Sequence, residues 1–139
     1  MTPPTDPPAD PPADPPADPL HENGMRVRRA VLGDEHVDRA VAGTDGFTAD
    51  FQDFITRYAW GAVWDRPGLG RRERSLITLA LLAGLGRSEE LPLHVRGGLR
   101  NGLTREEIGE VLLHTAVYAG VPAANTAFAV ARRTLDEEA

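Results

Sequence analysis

From Arg28 onward, apolar residues recur every three or four positions, and no apolar/polar alternation of strand length appears. The pattern predicts an all-α chain of about six helices. A first helix is expected over Arg28 to Val41, broken near Gly33. Thr44-Asp45-Gly46 predicts a turn, and a second helix runs from about Thr48 to Trp60 with Phe51, Phe54, Ile55 and Tyr58 at helical spacing. Arg66 to Gly70 reads as a loop. From Arg71 to Leu85 a helix carries Leu76, Ile77, Leu79, Leu81 and Leu82 on most of its sides, which predicts a central, buried element.

Pro92 suits only a first helical turn, so the next helix starts at Glu89 to Leu91 and runs to Arg100, where Asn101-Gly102 stops it. Thr104 and Glu107 predict a capping box, with Leu103 and Ile108 as its hydrophobic staple. The helix that follows has one apolar stripe through Ile108, Val111, Leu112, Thr115 and Ala119 and a second at Leu113 and Val117. A last helix begins near Pro122. Apolar residues on two sides of helices in so short a chain predict cover from another subunit.

The periodic pattern is absent before Leu20. Nine of the twelve prolines lie between Pro3 and Pro19, in four near-copies of a Pro-Pro-Ala/Thr-Asp unit. Residues 1–24 hold too little apolar surface to offset the entropy of ordering, so a disordered acidic tail is expected there, with the folded domain at 25–139. The tail takes five acids and no base, leaving sixteen acids against fifteen arginines in the body. The net charge of −6 is therefore mostly the tail's. The start of the chain has no basic stretch followed by an apolar run, so no secretory signal is expected there, and the apolar run from Ser75 to Gly86 is too short to span a bilayer. A cytoplasmic protein with neither nucleic-acid nor membrane partners is expected.

Two absences limit the chemistry. Without cysteine there is no thiolate catalysis or thiolate metal site, and without lysine there is no Schiff base. His94 has Glu90 one turn earlier and Gly97, Gly98 and Asn101 one and two turns later. Those glycines either leave an open surface beside the imidazole, where a flat ring could lie, or allow close helix packing. His114 and His36 are weaker candidates, and no ligand spacing supports a metal site.

Three phrases carry a family resemblance: MRVRRAVLGDEHVDR from Met25, ITRYAWGAVWDRPGL from Ile55, and RRERSLITLALLAGLGRSEELPLHVRGGLRNGLTREEIGEVLLHTAVYAGVPAAN from Arg71 to Asn125. Together they resemble the 4-carboxymuconolactone decarboxylases, within the alkyl hydroperoxidase D-like superfamily. The peroxidase cysteines correspond to Arg87 and Glu90 here, so that activity is excluded. The resemblance implies a compact multi-helix bundle, assembly as a trimer or hexamer, and a cofactor-independent loss of carbon dioxide from a small dianionic lactone in protocatechuate breakdown.

In that reaction the ring alkene and lactone carbonyl take up the electrons, so the protein has only to hold the dianion, stabilise the growing charge and supply a proton. Arg66 and Arg74, then Arg71 and Arg96, are the expected carboxylate partners, because the guanidinium fork pairs bidentately with carboxylates. Each of these arginines has a surface salt bridge as its plain alternative. Trp60, Trp64 and Tyr118 are candidate apolar walls. His94 is the expected proton donor, with Glu90 orienting it and favouring its charged form. The remaining alternatives are another small lactone or β-oxo acid as substrate, or a non-catalytic member that binds a ligand or assembles.

Overall fold

Helix dipoles, caps and glycine breaks divide the chain much as its periodicity suggests. The computed structural model describes residues 1–2 and 18–139, and the proline repeat lies outside the described residues. The elements are α1 (Pro19–Leu32), α2 (Asp34–Ala42), α3 (Ala49–Phe54), which runs directly into a π-helical segment (Ile55–Trp64), α4 (Arg71–Gly84), α5 (Leu91–Arg100), α6 (Arg105–Ala119) and α7 (Val121–Glu138). Among the described residues no strand occurs, and no helix is long and apolar enough to cross a membrane.

The expected domain start at residue 25 needs correcting. α1 begins six residues earlier, where the Asp18 side chain accepts from the His21 amide, Pro19 occupies the first turn and Glu22 faces the positive helix end. This turn is held by packing as well as by its cap. A Cβ on Gly24 would sit 1.9 Å from the Thr56 carbonyl oxygen, and one on Gly61 would sit 2.5 Å from the Leu20 carbonyl. Only glycine at both positions lets α1 and the π segment cross so closely.

α4 to α7 form a four-helix unit around Leu79, Ala83, Leu91, Val95, Leu103, Ile108, Leu112, Ala127, Ala131 and Leu135. The Thr104–Glu107 capping box is present in both directions. Leu103 and Ile108 are both buried beside it. α1, α2 and the π segment enclose a second, smaller core of Val27, Val31, Leu32, Val37 and Trp60.

α5 lies at the seam between the two cores. Gly97 faces the Val31 backbone, 3.1 Å from a Cβ placed there, and Gly98 faces Leu103 and Leu79. The glycines therefore serve close packing on both sides of α5; they do not open a surface for a ring. α4 also departs from expectation. Ser75, Leu79 and Ala83 are buried, but Ile77, Leu81 and Leu85 are exposed in the single chain.

Candidate functional site

The π segment's wide turn brings residues four apart nearly into line, so Thr56 and Trp60 both point inward. Trp60 and Trp64 stack with ring centroids 5.0 Å apart. His94 projects from α5 against this pair, 6.4 Å from Trp60 and 6.5 Å from Trp64, its plane within 6° and 21° of theirs. Imidazole and indoles thus form one aromatic corner where the two cores meet.

Burial among these rings pushes the His94 imidazole down to about 4, and nearby His36 adds to the effect. Glu90 opposes it and loses. The expectation that Glu90 makes the charged form of His94 available near neutral pH is therefore corrected: burial outweighs the carboxylate, and the ring is neutral at pH 7. Glu90 is the reason the sequence misled. It precedes α5 as an exposed N-cap residue, and its only bond to His94 is the helical one from the His94 amide to its carbonyl, at 3.3 Å. Its side chain instead lines an open groove of about 1150 Å³ between α1, α2 and α5, together with Arg29, His36, Arg39, Arg96 and Arg100. His94 is not part of that wall.

The four expected arginines separate into two kinds. Arg96 bonds Glu138 at 3.2 Å and lies 3.6 Å from Glu137, so its fork is already engaged by α7 carboxylates. The plain salt-bridge alternative applies to it, and it is not available as an anchor in this state. Arg66, Arg71 and Arg74 have no carboxylate partner among the described residues. Arg74 donates only to the Arg66 carbonyl, at 3.4 Å, while its buried Nε has no acceptor. Arg66 follows Trp64 by two residues, so this arginine group starts at the edge of the aromatic corner. Neighbouring Arg72 is paired with Glu107 across to α6.

Tyr118 is misplaced by the sequence reading. It is 81% exposed on the outer face of α6 and tilts against His114, ring centroids 5.1 Å apart, away from the aromatic corner. Trp60, in contrast, is buried where a site wall is needed. Among the described residues no group of three or more His, Cys, Asp or Glu is arranged to hold a metal.

One residue was missed altogether. Arg28 is 4% exposed, and its Nη1 donates to Gln52 Oε1 at 3.1 Å and to Thr56 Oγ1 at 3.3 Å. Its Nε is buried without a partner among the described residues, and burial lowers its proton affinity. The signal was its position four residues after Gly24 and three before Val31, on the buried stripe of α1. A helix taken to begin at Arg28 conceals that register.

Comparison with known proteins shows the family. A family model described as carboxymuconolactone decarboxylase family matches residues 49–133. The 4-carboxymuconolactone decarboxylase of Acinetobacter baylyi is 46% identical over 117 residues, covering 84% of this chain and 87% of that protein. The nitrosuccinic acid decarboxylase of Metarhizium robertsii is also 46% identical, over 85% of this chain and 82% of its own. A 4-carboxymuconolactone decarboxylase sequence from Pseudomonas putida is 54% identical over 41 residues, 30% of this chain and 85% of that sequence.

Proposed function

The chain belongs to the carboxymuconolactone decarboxylase family, and from that premise we propose that it converts 4-carboxymuconolactone to 3-oxoadipate enol-lactone and carbon dioxide without a cofactor. One observation carries this reading: a half-buried imidazole held against two indoles, with Arg66 two residues past Trp64 and joined to Arg74, neither of them paired with a carboxylate among the described residues. A dianionic lactone supplies the charge those arginines lack. Its flat ring matches the aromatic corner.

The chemistry runs as follows in this reading. The ring carboxylate leaves as carbon dioxide, and the electron pair of the broken carbon–carbon bond spreads through the alkene onto the lactone oxygen. Guanidinium groups stabilise that oxygen, and the indole surfaces keep the departing carboxylate poorly hydrated. A proton then adds to the ring carbon. His94 is neutral at rest, so it must first take a proton from solvent, and the arriving dianion makes that favourable by placing negative charge beside it. Glu90 has a minor, electrostatic part.

The reading places the enzyme in the cytoplasm, in protocatechuate catabolism. It also includes a homo-oligomer, trimer or hexamer. Ile77 and Leu81 on α4 with Leu85 just past its end, and Leu113, Val117 and Tyr118 on α6, are exposed apolar rows that a second copy would cover.

A second reading has a specific basis, since the fungal nitrosuccinic acid decarboxylase matches at the same identity. Both names describe small acids that carry their own electron sink beside the carboxylate to be lost. Purified, chelator-treated protein should consume 4-carboxymuconolactone with release of one carbon dioxide per lactone. Turnover of nitrosuccinate alone would transfer the assignment to the second reading, and inertness toward both would end the enzymatic one.

A further inference from the structure

We infer that α3 is a docking element for a second copy of this chain, its aromatic ridge seated in that copy's groove between α6 and α7. The inference rests on the homo-oligomer proposed above and names surfaces that would form it. α3 has no buried residue, and it packs chiefly against the π segment that continues it. Phe51, Phe54 and Tyr58 follow at i, i+3 and i+7, with Phe47 in the turn before them, and all four are 58% to 94% exposed. Phe54 and Tyr58 are stacked, ring centroids 5.5 Å apart. This is the spacing of a helix that lays one apolar face into a groove.

The α6–α7 groove has the matching chemistry. It encloses about 450 Å³ over the buried side chains of Ile108 and Leu112, with Phe128 on its α7 wall. Clefts that seat small molecules span roughly 300–1,000 Å³, so aromatic side chains have room. Gly109 keeps the α6 wall low, since a Cβ placed there meets nothing within 4 Å. All four phenylalanines of the chain thus lie on the ridge or in the groove.

Charge selects the occupant. Residues 44–56 contain Asp45, Asp50 and Asp53 and no base, whereas Arg105 and Arg132 line the groove and no acid does. Asp53 and Arg105 have partners of their own in Arg57 and Asp136; Asp50 and Arg132 have no ion pair among the described residues. An acidic ridge is repelled by an anionic lipid surface, which disfavours a membrane. α3 makes no substantial contact with α6 or α7 of its own chain, so the two surfaces meet between copies. Ridge and groove differ, and such a heterologous contact closes into a ring where its rotation allows.

The chain has no cysteine, so introduced thiols report the contact without background. In full-length Phe51→Cys/Gly109→Cys protein, a short bis-maleimide should link chains into a covalent ladder that ends at the ring size. Each single-cysteine variant should stay unlinked, because ridge meets groove and not another ridge. Dimers from Phe51→Cys alone, or no ladder from the double variant, overturn the inference.

Sedimentation gives the second reading. Phe51→Glu should weaken association at least about 30-fold, as for a central interface residue. Gly109→Phe, which has space in its own chain, should do the same by filling the groove. A 1:1 mixture of the two should associate more tightly than either alone, since each supplies the surface the other lacks. An oligomer that both variants leave intact keeps the homo-oligomer reading and overturns this contact; a wild type that sediments as a monomer ends both. Binding to anionic vesicles that Phe51→Glu abolishes, with sedimentation unchanged, would give the ridge to a membrane and overturn the inference. None of these readings depends on lactone turnover, so the decarboxylase assignment stands or falls separately.

Discussion

The α4–α7 unit and the layer formed by α1, α2 and the π segment are built by different rules. The four-helix unit is an ordinary apolar core, and its buried threonines Thr115 and Thr134 satisfy themselves on carbonyls one turn back. The N-terminal layer buries an arginine with no carboxylate partner among the described residues and uses a π segment, and it places a neutral histidine among indoles. Departures from local consistency concentrate where chemistry is done. The contrast predicts that substitutions on one side of α5 will damage stability while those on the other will damage turnover.

The largest expected effect belongs to the bundle. Leu112→Ala removes a fully buried side chain from its centre and should cost about 2–5 kcal/mol of unfolding free energy, measured by denaturant titration. Activity per folded molecule should change little. His94→Gln is the opposite case, with turnover falling about a hundredfold, or about 2.7 kcal/mol, while the unfolding midpoint stays near wild type. If the two variants swap phenotypes, the division between scaffold and site collapses.

The same contrast appears in pH dependence. The folded His94 takes a proton only near pH 4, whereas the unfolded one does so near 6.5. As pH falls from 6.5 to 4 the unfolded state binds the extra proton first, so stability drops across that window and is highest above it. For a partly exposed ring the loss should be about 2 kcal/mol. His94→Gln should flatten that part of the curve, and a slope unchanged by the substitution would remove His94 as its source.

Most of the fold was legible because its signals are local. The break at Gly33, the α5 start at Pro92 and the Thr104 capping box each depend on neighbours within a turn or two. What escaped depends on residues far apart in the chain. Arg96 meets Glu137 and Glu138 from α7, about forty positions away, so no local pattern could separate it from Arg74. Trp60 and Trp64 dry His94 from another element, which the spacing of Glu90 and His94 cannot reveal. The π segment looks like an ordinary helix in its apolar spacing; only the close crossing at Gly24 and Gly61 exposes it, and that crossing involves residues assigned to a tail.

The arginines sharpen the site half of the contrast. Arg74→Ala should raise KM for the lactone about tenfold, and Arg96→Ala should leave it nearly unchanged while loosening the α5–α7 ion pairs by under about 1 kcal/mol. Equal effects on KM would mean that the carboxylates on Arg96 give way to substrate. The choice between engaged and free arginines would then not identify anchors.

The smallest effect concerns the boundary of the N-terminal layer. Removing residues 1–22 deletes the Asp18 cap and Leu20, whose carbonyl lies against Gly61, whereas removing 1–17 leaves both in place. The longer deletion should therefore be less stable than the shorter by about 1 kcal/mol, the usual worth of a helix cap. It should also raise KM slightly, because fraying the start of α1 loosens the crossing that sets Thr56 and Trp60. Equal stability of the two would mean that α1 is held from Gly24 onward only. A loss of turnover at constant stability would instead tie the first turn of α1 to the site through the π segment alone.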